Sequence, residues 1–289
     1  MTCFALVAFI VWVWCASAGQ ASDLNLSVPS ANSEIYARAT NRFETVELFK
    51  PKESDEQSLA FTLAPLLLQE VARGTGRSDG DQFGALEPAG EGVRIESSKP
   101  TVYFKPDTAV LNGKTHATMT YVWFYAAGRG HTTPWRASAQ GIRITLDSSG
   151  RPAVWEILSA RSRTDIVFVS QSVEAAALAQ YGGALPGRRY AVERSLADSP
   201  RVVVARVIDD GPVPMGPIVY LRSPSHMVST LICRCMPAQA SRVAKSAYYE
   251  LADAGSIEQV IAKVQGFPQH FLSTGAGTLA KRLRFPASF

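Results

Sequence analysis

Two thiols one residue apart are the most chemically pointed feature of the chain, in Cys233-Arg234-Cys235-Met236-Pro237. On an extended strand, residues two apart share a face, so both sulfurs point the same way. Pro237 suits the first position of a helix, which sets Cys235 and Met236 beside a helix N-terminus. Main-chain N–H groups there, with Arg234 alongside, favour a thiolate. Three uses follow. The pair can close a tight disulfide, or exchange electrons or disulfides with Cys233 and Cys235 as the catalytic pair. It can also hold a soft metal such as Cu(I) through Cys233, Cys235 and Met236, with Met227 or His226 as a further donor. Against these stands plain burial: cysteine often serves as a small core hydrophobe, and Cys-x-Cys is a weaker metal signal than paired Cys-x-x-Cys. His226 also falls on the face opposite the thiols if the strand is regular.

Other reactive side chains read more blandly. Asp209 and Asp210 suit a general acid/base pair or a cation, but neighbours on a strand point apart, and Asp-Asp-Gly-Pro is good turn chemistry. Glu156 is expected to face Arg143 or Thr145 across a hairpin as a surface pair. His131, between Gly130 and Thr132, reads as a solvated loop histidine. The segment from Asp79 to Gly90 imitates a calcium loop, yet Phe83 and Gly90 stand where oxygen ligands are required. The sequence holds no nucleophile elbow, Walker loop, dinucleotide fingerprint or His-Glu-x-x-His.

These residues need elements to hold them. Ser54 to Gln57 forms a capping box, and Leu59, Leu63, Leu66, Leu67 and Val71 recur at helical spacing, which predicts a helix kinked at Pro65 and ended by Gly74. A glycine-rich loop over 74–92 follows. Strands are predicted from Thr101 to Phe104, His116 to Tyr125, Ile142 to Leu146, Val154 to Ile157, Ile166 to Ser170, Arg189 to Glu193, Val202 to Ile208, Ile218 to Leu221 and Val228 to Cys233. Asn112-Gly113 and Ser148-Ser149-Gly150 make the turns. The Val202–Ile208 strand is apolar on both faces apart from Arg206 and is expected at the centre of the sheet. Ser172 to Tyr181 reads as a short helix. A second helix is predicted from Pro237, with Val243, Ala247, Leu251 and Ala254 on one side, and another turn or two over Ile257 to Val264. Consecutive strands with helices at both ends predict an α+β fold, a mostly antiparallel sheet over about 95–235 with flanking helices. Residues 1–18 read as a signal peptide, 19–92 as a polar lead-in with one kinked helix and a glycine-rich loop, and 93–289 as the main domain.

The run from Cys3 to Ala18 is uncharged, and Ala16-Ser17-Ala18 fits a cleavage site. It predicts export to a secreted, periplasmic or cell-envelope location, with no stable membrane span once the signal is removed. With 289 residues, a net charge of +4 and 46% hydrophobic residues, the chain has the composition of a globular protein without a nucleic-acid footprint. Two functions are open on these grounds. One is an exported soluble protein with a Cys-x-Cys thiol-redox or soft-metal site. The other is a non-catalytic envelope or extracellular protein that binds a partner through its sheet or the Tyr/Trp-rich strand at 119–125.

Overall fold

A computed structural model describes residues 46–52, 58–70, 82–90, 92–126, 138–159, 165–194, 202–211, 215–223, 225–232, 245–264, 267, 271–272, 279–280 and 282–289. The strands are β1 (Val46–Pro51), β2 (Leu66–Glu70), β3 (Phe83–Ala89), β4 (Gly92–Glu96), β5 (Thr101–Leu111), β6 (Lys114–Tyr125), β7 (Ser138–Leu146), β8 (Pro152–Ser159), β9 (Asp165–Ser170), β10 (Val202–Ile208), β11 (Ile218–Leu221), β12 (Val228–Ile232) and β13 (Lys245–Asp253). The helices are α1 (Leu59–Thr62), α2 (Gln171–Tyr181) and α3 (Glu258–Ile261), the last entered through a 3-10 turn at Ala254–Ile257.

The α+β expectation is therefore wrong. The protein is mostly β, with 53% of the described residues in strands and 16% helical, in a sheet that nearly closes into a barrel. In the two segments expected to flank the sheet as helices, the described residues include strands of that sheet, β2 and β13. Pro65 does not kink a longer helix: α1 before it is a single turn capped by Ser58, whose Oγ accepts from Phe61 N at 3.2 Å, and a strand begins at Leu66. Leu66, Leu67 and Leu68 beyond it are apolar on both faces because β2 lies buried between β1 and β11. The described part of the second expected helix, from residue 245, is β13. Its Ala247 and Leu251 sit four residues apart but belong to an alternation with Tyr249, and Ser246, Tyr248 and Glu250 face the other way. Part of the expected glycine-rich loop is the β3–β4 hairpin.

The strand path runs β10-β9-β8-β7-β6-β5-β13-β1-β2-β11-β12, with β3 and β4 attached to β6 off that path. β10, expected at the centre, lies at one end and pairs only with β9 along this path. From β5 to β9 the ladders are antiparallel, as the turns dictate; Asn112 and Gly113 hold φ of 50° and 76°. β13 is parallel to both of its neighbours, β5 and β1.

Closure shows in the side chains. One face of the sheet gathers Phe49, Leu67, Phe83, Val102, Tyr121, Ile144, Trp155, Phe168, Leu231 and Tyr249 into a single core, although these residues come from strands all along the path. The path's two ends meet where Arg206 of β10 donates to the Leu231 carbonyl of β12. Outside this barrel, α2 and the C-terminal Leu283, Phe285 and Phe289 cover β8 to β10, and Ala254, Ile261, Val264, Phe267, Phe271 and Leu272 lie over β3 to β7. A third outer patch joins Leu48, Leu66, Leu68, Ile218 and Ile232. Among the described residues no helix is long and apolar enough to cross a membrane.

Candidate functional site

Cys233, Cys235 and Met236 lie outside the described residues, as do the leader 1–18, His131 and the Asp79–Asp81 segment. No cysteine pair and no secretion is thereby shown. Of the two further donors considered for a soft metal, His226 is buried and Met227 is exposed. Among the described residues no cluster of His, Cys, Asp and Glu is suited to a metal ion.

The acidic candidates have structural work. Asp210 accepts from both Ser172 N and Ser172 Oγ at 2.8 Å, which fastens the start of α2 to the end of β10. Glu156 does face Arg143 across β7 and β8, but the pair is not a surface one. Their closest atoms are 3.6 Å apart, with the side chains 13% and 4% exposed. Arg143 also donates to Thr120 Oγ1 at 3.3 Å and to the Phe271 carbonyl at 3.2 Å, so it ties the covering C-terminal residues to the barrel wall. Burial raises the Glu156 carboxyl above its ordinary range, against the pull of Arg143 and Arg282. The hairpin alternation itself is as expected: Ile142, Ile144, Leu146 and Trp155 are buried on one face, Ile157 packs against them, and Arg143, Thr145 and Glu156 share the other.

The aromatic strand is also corrected as a partner surface. Tyr121, Trp123 and Tyr125 are fully buried and point into the barrel. What they meet differs between the two ends of the interior. At one end residues 60–65 fold inward as a plug. Ala60, Leu63 and Ala64 join the core, Tyr121 Oη donates to the Ala60 carbonyl at 2.6 Å, and Tyr249 Oη donates to the Pro65 carbonyl at 2.7 Å. Gly216 lies against the plug so closely that a Cβ would come within 2.2 Å of Leu63 O and 2.3 Å of Ala64 O.

At the opposite end, Tyr125 reaches across the interior. Its hydroxyl donates to Gln69 Oε1 of β2 at 3.2 Å, and the His226 ring stacks on its face at 4.0 Å and 10°. His226 reaches that position from the β11–β12 hairpin in a left-handed backbone conformation, φ 56°, with its N–H donating to the Arg222 carbonyl at 2.6 Å. Phe83 adds its edge to Tyr125 at 6.1 Å. Beside this stack sits the most unusual residue of the interior. Gln140 lies opposite Trp123 on β6 and Ser159 on β8, in phase with the inward Ile142 and Ile144. It is fully buried, and neither its amide nitrogen nor its amide oxygen has a hydrogen-bond partner among the described residues. Trp123 Nε1 and Ser138 Oγ are in the same state. Next to Gln140, a Cβ on Gly141 would come 2.5 Å from Tyr121 O, so glycine lets β7 lie close against β6 here.

Gln140 belongs to no motif, which is why motif reading passes over it. A signal was present nonetheless: in Gln140-x-Ile142-x-Ile144-x-Leu146, a polar residue stands in phase with an otherwise apolar face. No family model, no curated protein and no solved structure matches the chain.

Proposed function

We propose that this chain is a binding protein without catalytic chemistry, which holds a small, largely apolar molecule inside the barrel at the end opposite the plug. One observation carries the reading: Gln140 is buried on the inner wall with both amide atoms unpartnered among the described residues. Leaving a buried donor or acceptor unmade costs about 1–3 kcal/mol, and a bound molecule that completes the bonds removes that cost. The surroundings support it. Trp123, Tyr125 and Phe83 give the apolar, aromatic wall that small-molecule sites favour, with a few polar groups converging on it. Entry requires the His226–Tyr125 stack to part. The left-handed backbone of His226, worth about 1–3 kcal/mol of strain in a non-glycine residue, lies at that point.

The test is a titration with the neutral fluorophore N-phenyl-1-naphthylamine, followed by its emission and by quenching of tryptophan. Saturable binding at one molecule per chain, weakened in Trp123→Phe, is the expected result. Absence of saturable binding, together with a crystal structure in which ordered waters complete the bonds of Gln140 and Trp123, would overturn the reading.

A further inference from the structure

We infer that the molecule held in the barrel is neutral and flat and carries an amide-type edge, an N–H and a C=O side by side, which pairs with Gln140. The inference rests on the binding reading above and specifies its ligand. A carboxamide presents one acceptor and one donor pair in a single plane. On Gln140 both sides of that plane are unpartnered among the described residues. The group that satisfies both at once is another amide-type edge, through two parallel hydrogen bonds. A ligand with only a carbonyl, or only an N–H, leaves one of the two buried atoms as it stands and forfeits that part of the gain.

Neutrality follows from the neighbours. On the inner wall Gln140 is flanked across the ladders by Trp123 and Ser159 and along its own strand by Ser138 and Ile142, none of which carries a charge. A carboxylate, phosphate or ammonium brought here is stripped of water with no opposite charge supplied by these neighbours, which disfavours it strongly. Flatness follows from the rings. Trp123 is Gln140's direct cross-strand partner, and Tyr125, one inward position further along β6, is already stacked face to face with an imidazole. The unpartnered Trp123 Nε1 and Ser138 Oγ provide for a second polar atom at the ligand's rim.

The experiment uses the full-length chain and three neutral probes of nearly one shape: 1(2H)-isoquinolinone, a flat lactam with the required edge; its N-methyl derivative, which lacks the donor; and naphthalene, which has neither group. 2-Naphthoate serves as the charged counterpart. The lactam is expected to bind at least about tenfold more tightly than the N-methyl compound, and 2-naphthoate more weakly than naphthalene. In Gln140→Leu the gap between lactam and N-methyl compound should shrink to below about threefold. Equal affinities for lactam and N-methyl compound in the unaltered protein, a comparison needing no variant, would overturn the amide edge while leaving a binding barrel in place. So would a gap that survives Gln140→Leu. If none of the three neutral probes saturates a site, the binding reading falls and this inference with it.

Discussion

Tyr121 and Trp123 stand two residues apart on one strand and face the same interior, yet their polar atoms meet opposite fates. Tyr121 hands its hydroxyl proton to a carbonyl of the plug. The Trp123 indole N–H, one step toward the other end, finds no acceptor among the described residues, and neither amide atom of Gln140 across the ladder is partnered. At the plug end the chain brings main-chain carbonyls inside the barrel, at Ala60 and Pro65, and two tyrosines donate to them, while Trp155 Nε1 remains unpartnered on that side among the described residues. The other end is lined with comparable polar groups but closed by stacked rings. Four polar atoms unpartnered among the described residues gather at that end, on Gln140, Trp123 and Ser138, and this concentration is what reads as capacity for a ligand.

The contrast can be broken most severely at Gly216. Alanine there places a methyl inside contact distance of two plug carbonyls, and a loss of roughly 3 kcal/mol is expected, read as a lowered urea midpoint. A tolerated substitution would mean that the plug is not held as described. The sharper test compares the two ends by sign. Tyr121→Phe removes the donor that Ala60 O accepts and should destabilise by about 1–2 kcal/mol. Gln140→Leu removes two unpartnered atoms from an apolar wall and should be neutral or stabilising by up to about 2 kcal/mol in the ligand-free protein. Equal destabilisation by both would erase the distinction between the ends.

The smallest effect is expected on the outer wall, which belongs to neither end. Burial holds the folded-state pKa of Glu156 above its unfolded value. The stability this group contributes is therefore full below the ordinary carboxylate range of about 4.3 and is lost as pH rises through the folded value. Glu156→Gln should gain stability relative to the parent as pH rises from acid toward neutrality, seen as converging or crossing midpoints in denaturation at pH 4 and pH 7. A stability difference independent of pH would show that Glu156 does not titrate in the fold.

Much of the sheet was legible from residues alone. The β7–β8 hairpin follows from strict alternation either side of Ser148-Ser149-Gly150, and the β5–β6 turn from Asn112-Gly113, because turn chemistry and a period of two are local properties. The partner segments of the sheet were harder. Leu66-Leu67-Leu68 is apolar throughout because both of its faces are covered, and a continuous apolar run does not distinguish helix from strand. In β13 a spacing of four residues is compatible with either period, and the alternation of Ala247, Tyr249 and Leu251 against Ser246, Tyr248 and Glu250 was the better guide. The solvent-facing role assigned to Arg143 and Glu156 failed for another reason: what covers a sheet's second face is a tertiary matter, decided here by residues more than a hundred positions away. Gln140 was visible only as a disagreement between one residue and its pattern.

The place of β13 has a consequence for how the molecule is made. Among the described residues, 245–253 are the last strand in chain order, yet they sit between β5 and β1, parallel to both. Without them the strand path divides into two groups, β1-β2-β11-β12 and β5 to β10 with β3 and β4, each with an unpaired edge where β13 belongs. Assembly cannot proceed strand by strand behind the growing chain. It waits for one late insertion that pairs residues about 150 and 200 positions apart in the chain, the kind of distant pairing that slows folding. A nascent chain stalled before residue 245 would present two sheet edges to its surroundings, which makes the interval before that insertion the period of greatest exposure to aggregation.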